Sequence, residues 1–119
     1  MQGTYISFYL RTNRIHLFVD SLRAIGSPKY FCFMLQENGQ ALAIVPYDKK
    51  DLKSHWVPPT VYTGTKDMEV NSMRLCRIIS EMHHWTPGGS YRVPGFVLED
   101  RSAAIFMLSK AKLIDKSAE

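Results

Sequence analysis

Cysteine is scarce in this chain of 119 residues, which has only Cys32 and Cys76, each inside an apolar stretch. That count excludes a CxxC metal pair and a disulfide framework, and two buried free thiols are expected instead. Long hydrophobic runs are missing too. No stretch approaches the roughly 20 apolar residues that span a bilayer, and the opening MQGTYISFYLRTNR lacks the layout of a secretory leader, so a cytoplasmic protein with no membrane partner is expected. Fifteen Lys and Arg against eleven Asp and Glu leave a net charge of +4, enough to tolerate a polyanion but short of a dedicated basic stripe.

Enzymatic signatures are also lacking. There is no Gly-rich phosphate loop, no GxSxG elbow, no HExxH and no His/Cys cluster with zinc spacing. His83 and His84 are adjacent, and neighbouring helical residues point about 100° apart, so the two cannot chelate one ion on an intact helix. His16 and His55 are isolated, and Asp48, Asp51, Glu99 and Asp100 fall in turn or connector sequence. The chain therefore reads as non-enzymatic, with no cofactor and no metal.

Apolar residues make up 45% and charged residues 22%, the composition of one ordinary globular domain over 1–119. The segment YDKKDLKSHWVPPTVYTGTKD breaks the apolar pattern with charges, Pro58-Pro59 and Gly64, which marks 48–67 as a connector. The segments on either side, 4–47 and 68–108, are similar. Laying Tyr30 on Tyr91 brings Ala43 onto Ala104, Ile44 onto Ile105 and Lys49 onto Lys110. Each half then reads as an extended run, a polar turn and a second extended run, with Asn38-Gly39 as a strong hairpin signal and Glu99-Asp100-Arg101-Ser102 as a looser turn.

Upstream of each hairpin the period changes to a helical one. Phe18, Val19, Leu22 and Ile25 recur at helix spacing before Gly26-Ser27-Pro28. Ile78, Ile79, Met82 and Trp85 do the same before Thr86-Pro87-Gly88-Gly89, with Ser72 placed to cap the start. A strand over Thr4 to Leu10 and another over Met68 to Val70 precede the two helices, while Ile15 to Val19 can also extend as strand. The expected fold is α+β, with two tandem strand-helix-hairpin units sharing one core about a pseudo-two-fold axis. A polar tail over 109–119 follows, in which Ala111 to Ile114 suit one helical turn.

Cationic residues flank these elements. Arg11 and Arg14 border a turn, Arg23 and Lys29 border the end of the first helix, and Lys49, Lys50 and Lys53 enter the connector, where they can reach phosphates. Trp56 and Tyr62 lie in the Pro-marked connector as candidate partner contacts. Binding to another protein through this aromatic connector and a sheet edge is the alternative to nucleic-acid binding, and a ligand or enzymatic site between the halves is a third.

The stretch RTNRIHLFVDSLRAIGSPKYFCFMLQENGQALAIVP resembles the swapped-hairpin unit of AbrB-type and MraZ-type transcription factors. An arginine opens a strand (Arg14-Ile15), an "lr..lG" helix follows (Leu22 to Gly26), and the hairpin ends in an "l.i.p" strand (Leu42 to Pro46). MraZ-type proteins carry two such units in one chain. The resemblance implies a DNA-binding transcription regulator, working as a homo-oligomer, most simply a dimer, that contacts phosphates through loop arginines. Arg14 matches by motif position, and Arg11 and Arg23 are added by proximity.

Overall fold

The computed structural model describes residues 3–64 and 67–115. Strands β1 (Gly3–Tyr9) and β2 (Arg14–Leu17) lead into helix α1 (Val19–Ala24), followed by β3 (Tyr30–Leu35) and β4 (Ala41–Tyr47). The connector holds β5 (His55–Trp56) and α2 (Pro59–Thr63). Then come β6 (Met68–Asn71), α3 (Met73–Met82), β7 (Ser90–Val97), β8 (Ala104–Met107), a 3-10 turn (Leu108–Lys110) and β9 (Lys112–Asp115). The strands form one antiparallel sheet in the order β5-β3-β4-β8-β7-β1-β2-β6, with β9 also on β7. The architecture is α+β and dominated by the sheet.

Residues from both ends of that order, Phe31 of β3 and Met68 and Val70 of β6, share one buried cluster with Ile6, Phe8, Ile44, Val93 and Phe106. A flat sheet of this width could not bring its two ends into one core, so the sheet curls around its inner face. Helix α3 adds Cys76 and Ile79 to the same core, and its end lies over the β3–β4 turn. There the His83 ring nitrogen Nε2 donates to the Gly39 carbonyl at 2.7 Å, and Met82 packs on Gly39. Both cysteines are free and buried. Among the described residues no helix is long and apolar enough to cross a membrane.

Local sequence accounts for several boundaries. Ser72 caps α3, its Oγ accepting the Leu75 N–H at 3.2 Å. The start of α1 has no side-chain cap from Phe18; instead Asp67, far along the chain, accepts the Val19 N–H at 2.9 Å and holds His16 Nε2 at 3.1 Å. Pro94 is tolerated inside β7 because β9 pairs with that edge only up to Arg92 and β8 only from Gly95, so a missing N–H breaks no ladder bond. Gly95 is required: a Cβ there would lie 2.2 Å from the Ile105 carbonyl oxygen.

Several expectations are corrected. The strand directly before α1 is β2, and β1 is an additional strand inserted between β2 and β7. Within the connector the described residues include β5 and α2, and Pro59 sits in the first turn of α2, where its lost N–H costs nothing. Met82 is 46% exposed and Trp85 lies past the helix end, so the buried stripe of α3 runs through Cys76 and Ile79. Ala111 to Ile114 form no helical turn, because Lys112 to Asp115 take the stretch of β7 edge that short β8 leaves open.

The two hairpin turns share one geometry. Gln36 N–H bonds Ala41 O at 2.8 Å and Leu98 N–H bonds Ala103 O at 3.0 Å; Gly39 and Arg101 both have positive φ, 74° and 60°. Asn38 Oδ1 accepts the Gln40 N–H at 3.0 Å, as Asp100 Oδ1 accepts the Ser102 N–H at 2.9 Å. Matching the turns in this way lays Tyr30 on Arg92, one residue beyond Tyr91. The strands before the helices, β2 and β6, pair with each other, as do the second hairpin strands β4 and β8.

Candidate functional site

The pairing of β3 leaves half of one edge open. Its neighbour β4 covers the whole strand from Tyr30↔Tyr47 to Leu35↔Leu42, whereas β5 covers only Tyr30 and Phe31. In an antiparallel ladder the N–H and C=O of alternate residues point to opposite sides. Because Gln36 bonds Ala41 and Val57 bonds Lys29, the even-numbered residues of β3 face β4 and the odd-numbered ones face β5. The N–H and C=O of Phe33 and Leu35 therefore point past the end of β5, where no strand of the described residues pairs with them. The comparable open end of β4, beyond the start of β8, carries Pro46, which has no N–H to offer.

Beyond this edge lies a cleft of about 580 Å³, whose other wall is α3. Cys32, Phe33 and Met34 of β3 form one side, Ser72, Arg74, Leu75 and Ile78 the other, and Tyr47, Lys53 and His55 close one end. The volume falls in the range of specific ligand sites, roughly 300–1,000 Å³. Leu75 and Ile78 flank the Cys76–Ile79 stripe that α3 buries, Leu75 packing partly against the core, and both line the slot.

Titratable groups line the closed end, and Arg74 stands on the α3 wall. The Tyr47 hydroxyl donates to Asp51 Oδ2 at 2.6 Å, which holds the Asp51 carboxyl below its ordinary range and pushes the Tyr47 hydroxyl up. Burial lowers His55, stacked on Phe31 at 5.2 Å, and raises the Cys32 thiol with help from nearby Asp51. At neutral pH the imidazole and thiol are thus uncharged. Lys53 and Arg74 remain as the cations lining the cleft, and neither is in an ion pair among the described residues.

The residues singled out from sequence separate into two groups. Lys29, Lys49, Lys50, Lys53 and Trp56 gather at the end of the β5-β3-β4 ribbon, where Tyr30 stands between Tyr47 and Trp56 in register. Trp56 is 53% exposed, and Lys29 Nζ lies 5.8 Å from the Tyr30 ring. Arg11 and Arg14 are several strands away at the β1–β2 turn, with Arg14 bound to Glu69 at 3.2 Å. Arg23 is held by Asp20 and by the Tyr62 carbonyl, the latter at 2.8 Å. Tyr62 turns inward, donating to the Pro28 carbonyl at 2.6 Å, with burial pushing its hydroxyl up to about 12.

Sequence reasoning did not single out Cys32, Phe33, Met34, Leu35, Arg74, Leu75 or Ile78 as site residues. No local signal identifies them, since the open edge depends on where a distant two-residue strand stops. A second hollow of about 550 Å³, behind α3, is lined by polar groups including Arg77, Ser80, Glu81 and His84, and holds none of the expected site residues. No group of three or more His, Cys, Asp or Glu side chains among the described residues is arranged to hold a metal ion. No family model, no curated protein and no solved structure matches the chain.

Proposed function

We propose that this protein is an interaction module that captures an extended segment of another protein as an added strand on the open edge of β3. The supporting observation is the register that leaves Phe33 and Leu35 without a strand partner on one side among the described residues, beside a largely apolar slot. An added strand pairs the open-edge amides and carbonyls of both residues while burying apolar side chains against Leu75 and Ile78. Leu35→Pro tests the reading, because it deletes a donor on the open edge and none in the β3–β4 ladder. The folded variant should lose binding to peptides selected from a displayed random library by the parent protein. Undiminished binding of those peptides would overturn the proposal.

The matched turns and the β2–β6 and β4–β8 pairings support a finer reading in which the two halves are related by a pseudo-two-fold axis passing near Ala43 and Ile105. A second functional reading follows from the cluster of Lys29, Lys49, Lys50 and Lys53 beside exposed Trp56. In this reading the protein is a small dimeric DNA-binding regulator of the AbrB/MraZ-like kind, with phosphate contacts at the β3–β4–β5 end rather than at Arg11 and Arg14. A salt titration with mixed-sequence duplex DNA tests it: affinity should fall steeply with salt, and Lys49→Ala with Lys50→Ala should flatten the slope. No binding at low salt removes this reading.

A further inference from the structure

We infer that the segment taken up by β3 is a chain terminus: it enters antiparallel to β3 and places its free C-terminal carboxylate between Lys53 and Arg74. The inference rests on the strand-capture reading and adds the direction, end and chemistry of the partner. The edge positions opposite Tyr30 and Phe31 are already filled by Trp56 and His55. Ahead of them the chain turns sharply through Asp51 to Ser54, with the Lys53 N–H bound to Asp51 Oδ1 at 2.8 Å and the Asp51 N–H to Ser54 Oγ at 2.9 Å. An incoming strand meets this turn and cannot continue along β3.

The two strand directions differ in what they bring to that barrier. A parallel strand would present its N-terminal ammonium to Lys53 and Arg74, and an antiparallel one presents a carboxylate; the Asp51 carboxylate at the same end is already taken up by the Tyr47 hydroxyl and the Lys53 N–H. Lys53 and Arg74 select the second, since each gains a charge-assisted bond that no ion pair among the described residues supplies. Register then sets the side chains. Residues opposite Phe33 and Leu35 point to the same face as those two, toward Leu75 and Ile78, so the last residue and the third from last should be apolar.

A second copy of this chain is a poorer occupant, because its own β3 carries an α3 along the same edge and the two helices would compete for one slot. The third class, a small amphipathic acid, would satisfy the cations and leave the Leu35 backbone uncovered.

The experiment uses the full chain and peptides displayed with a free C terminus and four randomised final positions. Selected sequences are then synthesised as the free acid and as the C-terminal amide, and amide hydrogen exchange is followed by NMR. Expected results are apolar preference at the last and third-from-last positions, slowed exchange at Phe33 and Leu35 on binding, and at least about tenfold weaker binding of the amide form. Lys53→Ala and Arg74→Ala should weaken the acid and leave the amide form little changed. Acid and amide forms binding alike, with Phe33 and Leu35 protected, would overturn the carboxylate assignment and leave strand capture standing. Failure of every peptide to protect Phe33 and Leu35, or protection of both in a dimer of the free protein, would overturn both.

Discussion

Proline substituted at two neighbouring positions of β3 should have opposite consequences. Leu35 directs its N–H away from β4, so Leu35→Pro breaks no ladder bond. It sacrifices part of a half-buried side chain, about 1 kcal/mol by area, against which the stiffer unfolded chain returns about 0.4–1 kcal/mol. Met34 directs its N–H to Ala43. Met34→Pro removes that bond, strands the Ala43 carbonyl at about 1–3 kcal/mol and drives the ring against β4. Because the Met34 side chain is 58% exposed, little of its cost comes from lost burial. Strain from forcing φ toward the proline value is common to both, so the difference is more secure than either number. Urea unfolding should place Met34→Pro at least about 2 kcal/mol below Leu35→Pro. Equal destabilisation, or the reverse order, would mean that Leu35 bonds β4 and that the open edge is misassigned.

Three further outcomes follow from local geometry. Ser72→Ala should cost about 1 kcal/mol through loss of the α3 cap, read by thermal or urea unfolding. Gly95→Ala should cost about 3 kcal/mol or more, because its Cβ meets the Ile105 backbone oxygen rather than a yielding side chain, and a near-neutral result would refute that close approach. Burial lowers the His55 pKa, so the unfolded chain takes up a proton there first. The resulting stability is complete above about pH 6.5 and is lost as pH falls through the lowered folded value. His55→Asn should therefore flatten the urea midpoint between pH 7 and 5, and an unchanged slope would show that other groups govern it.

Much of the secondary structure was legible because it depends on short-range chemistry. Asn38-Gly39 marks its turn through tolerance of positive φ, and Ser72 marks its helix through a hydroxyl three residues ahead of an orphan amide. The short helix inside the connector is not legible, because Pro58-Pro59 breaks a pattern and also starts α2, and the sequence signal for these two roles is the same. Strands YFCFML and ALAIVPY are apolar on both parities, so alternation could not tell the inner face from the outer, where Met34, Val45 and Tyr47 stand partly or largely exposed. Of the cationic residues, those close in sequence to β3 and β4 were brought together, while Arg14 and Arg23 found partners from distant segments.

Composition and pattern by themselves determined that this chain folds as an α+β body with buried free thiols and a hairpin at Asn38-Gly39, since burial and turn preference act over a few residues. Tertiary structure alone decided which strand edge stays open, because that depends on where β5 stops against β3 and on where α3, forty residues away, comes to lie. A slot bounded by segments so far apart in sequence is set by how the sheet curls, and no local spacing encodes it.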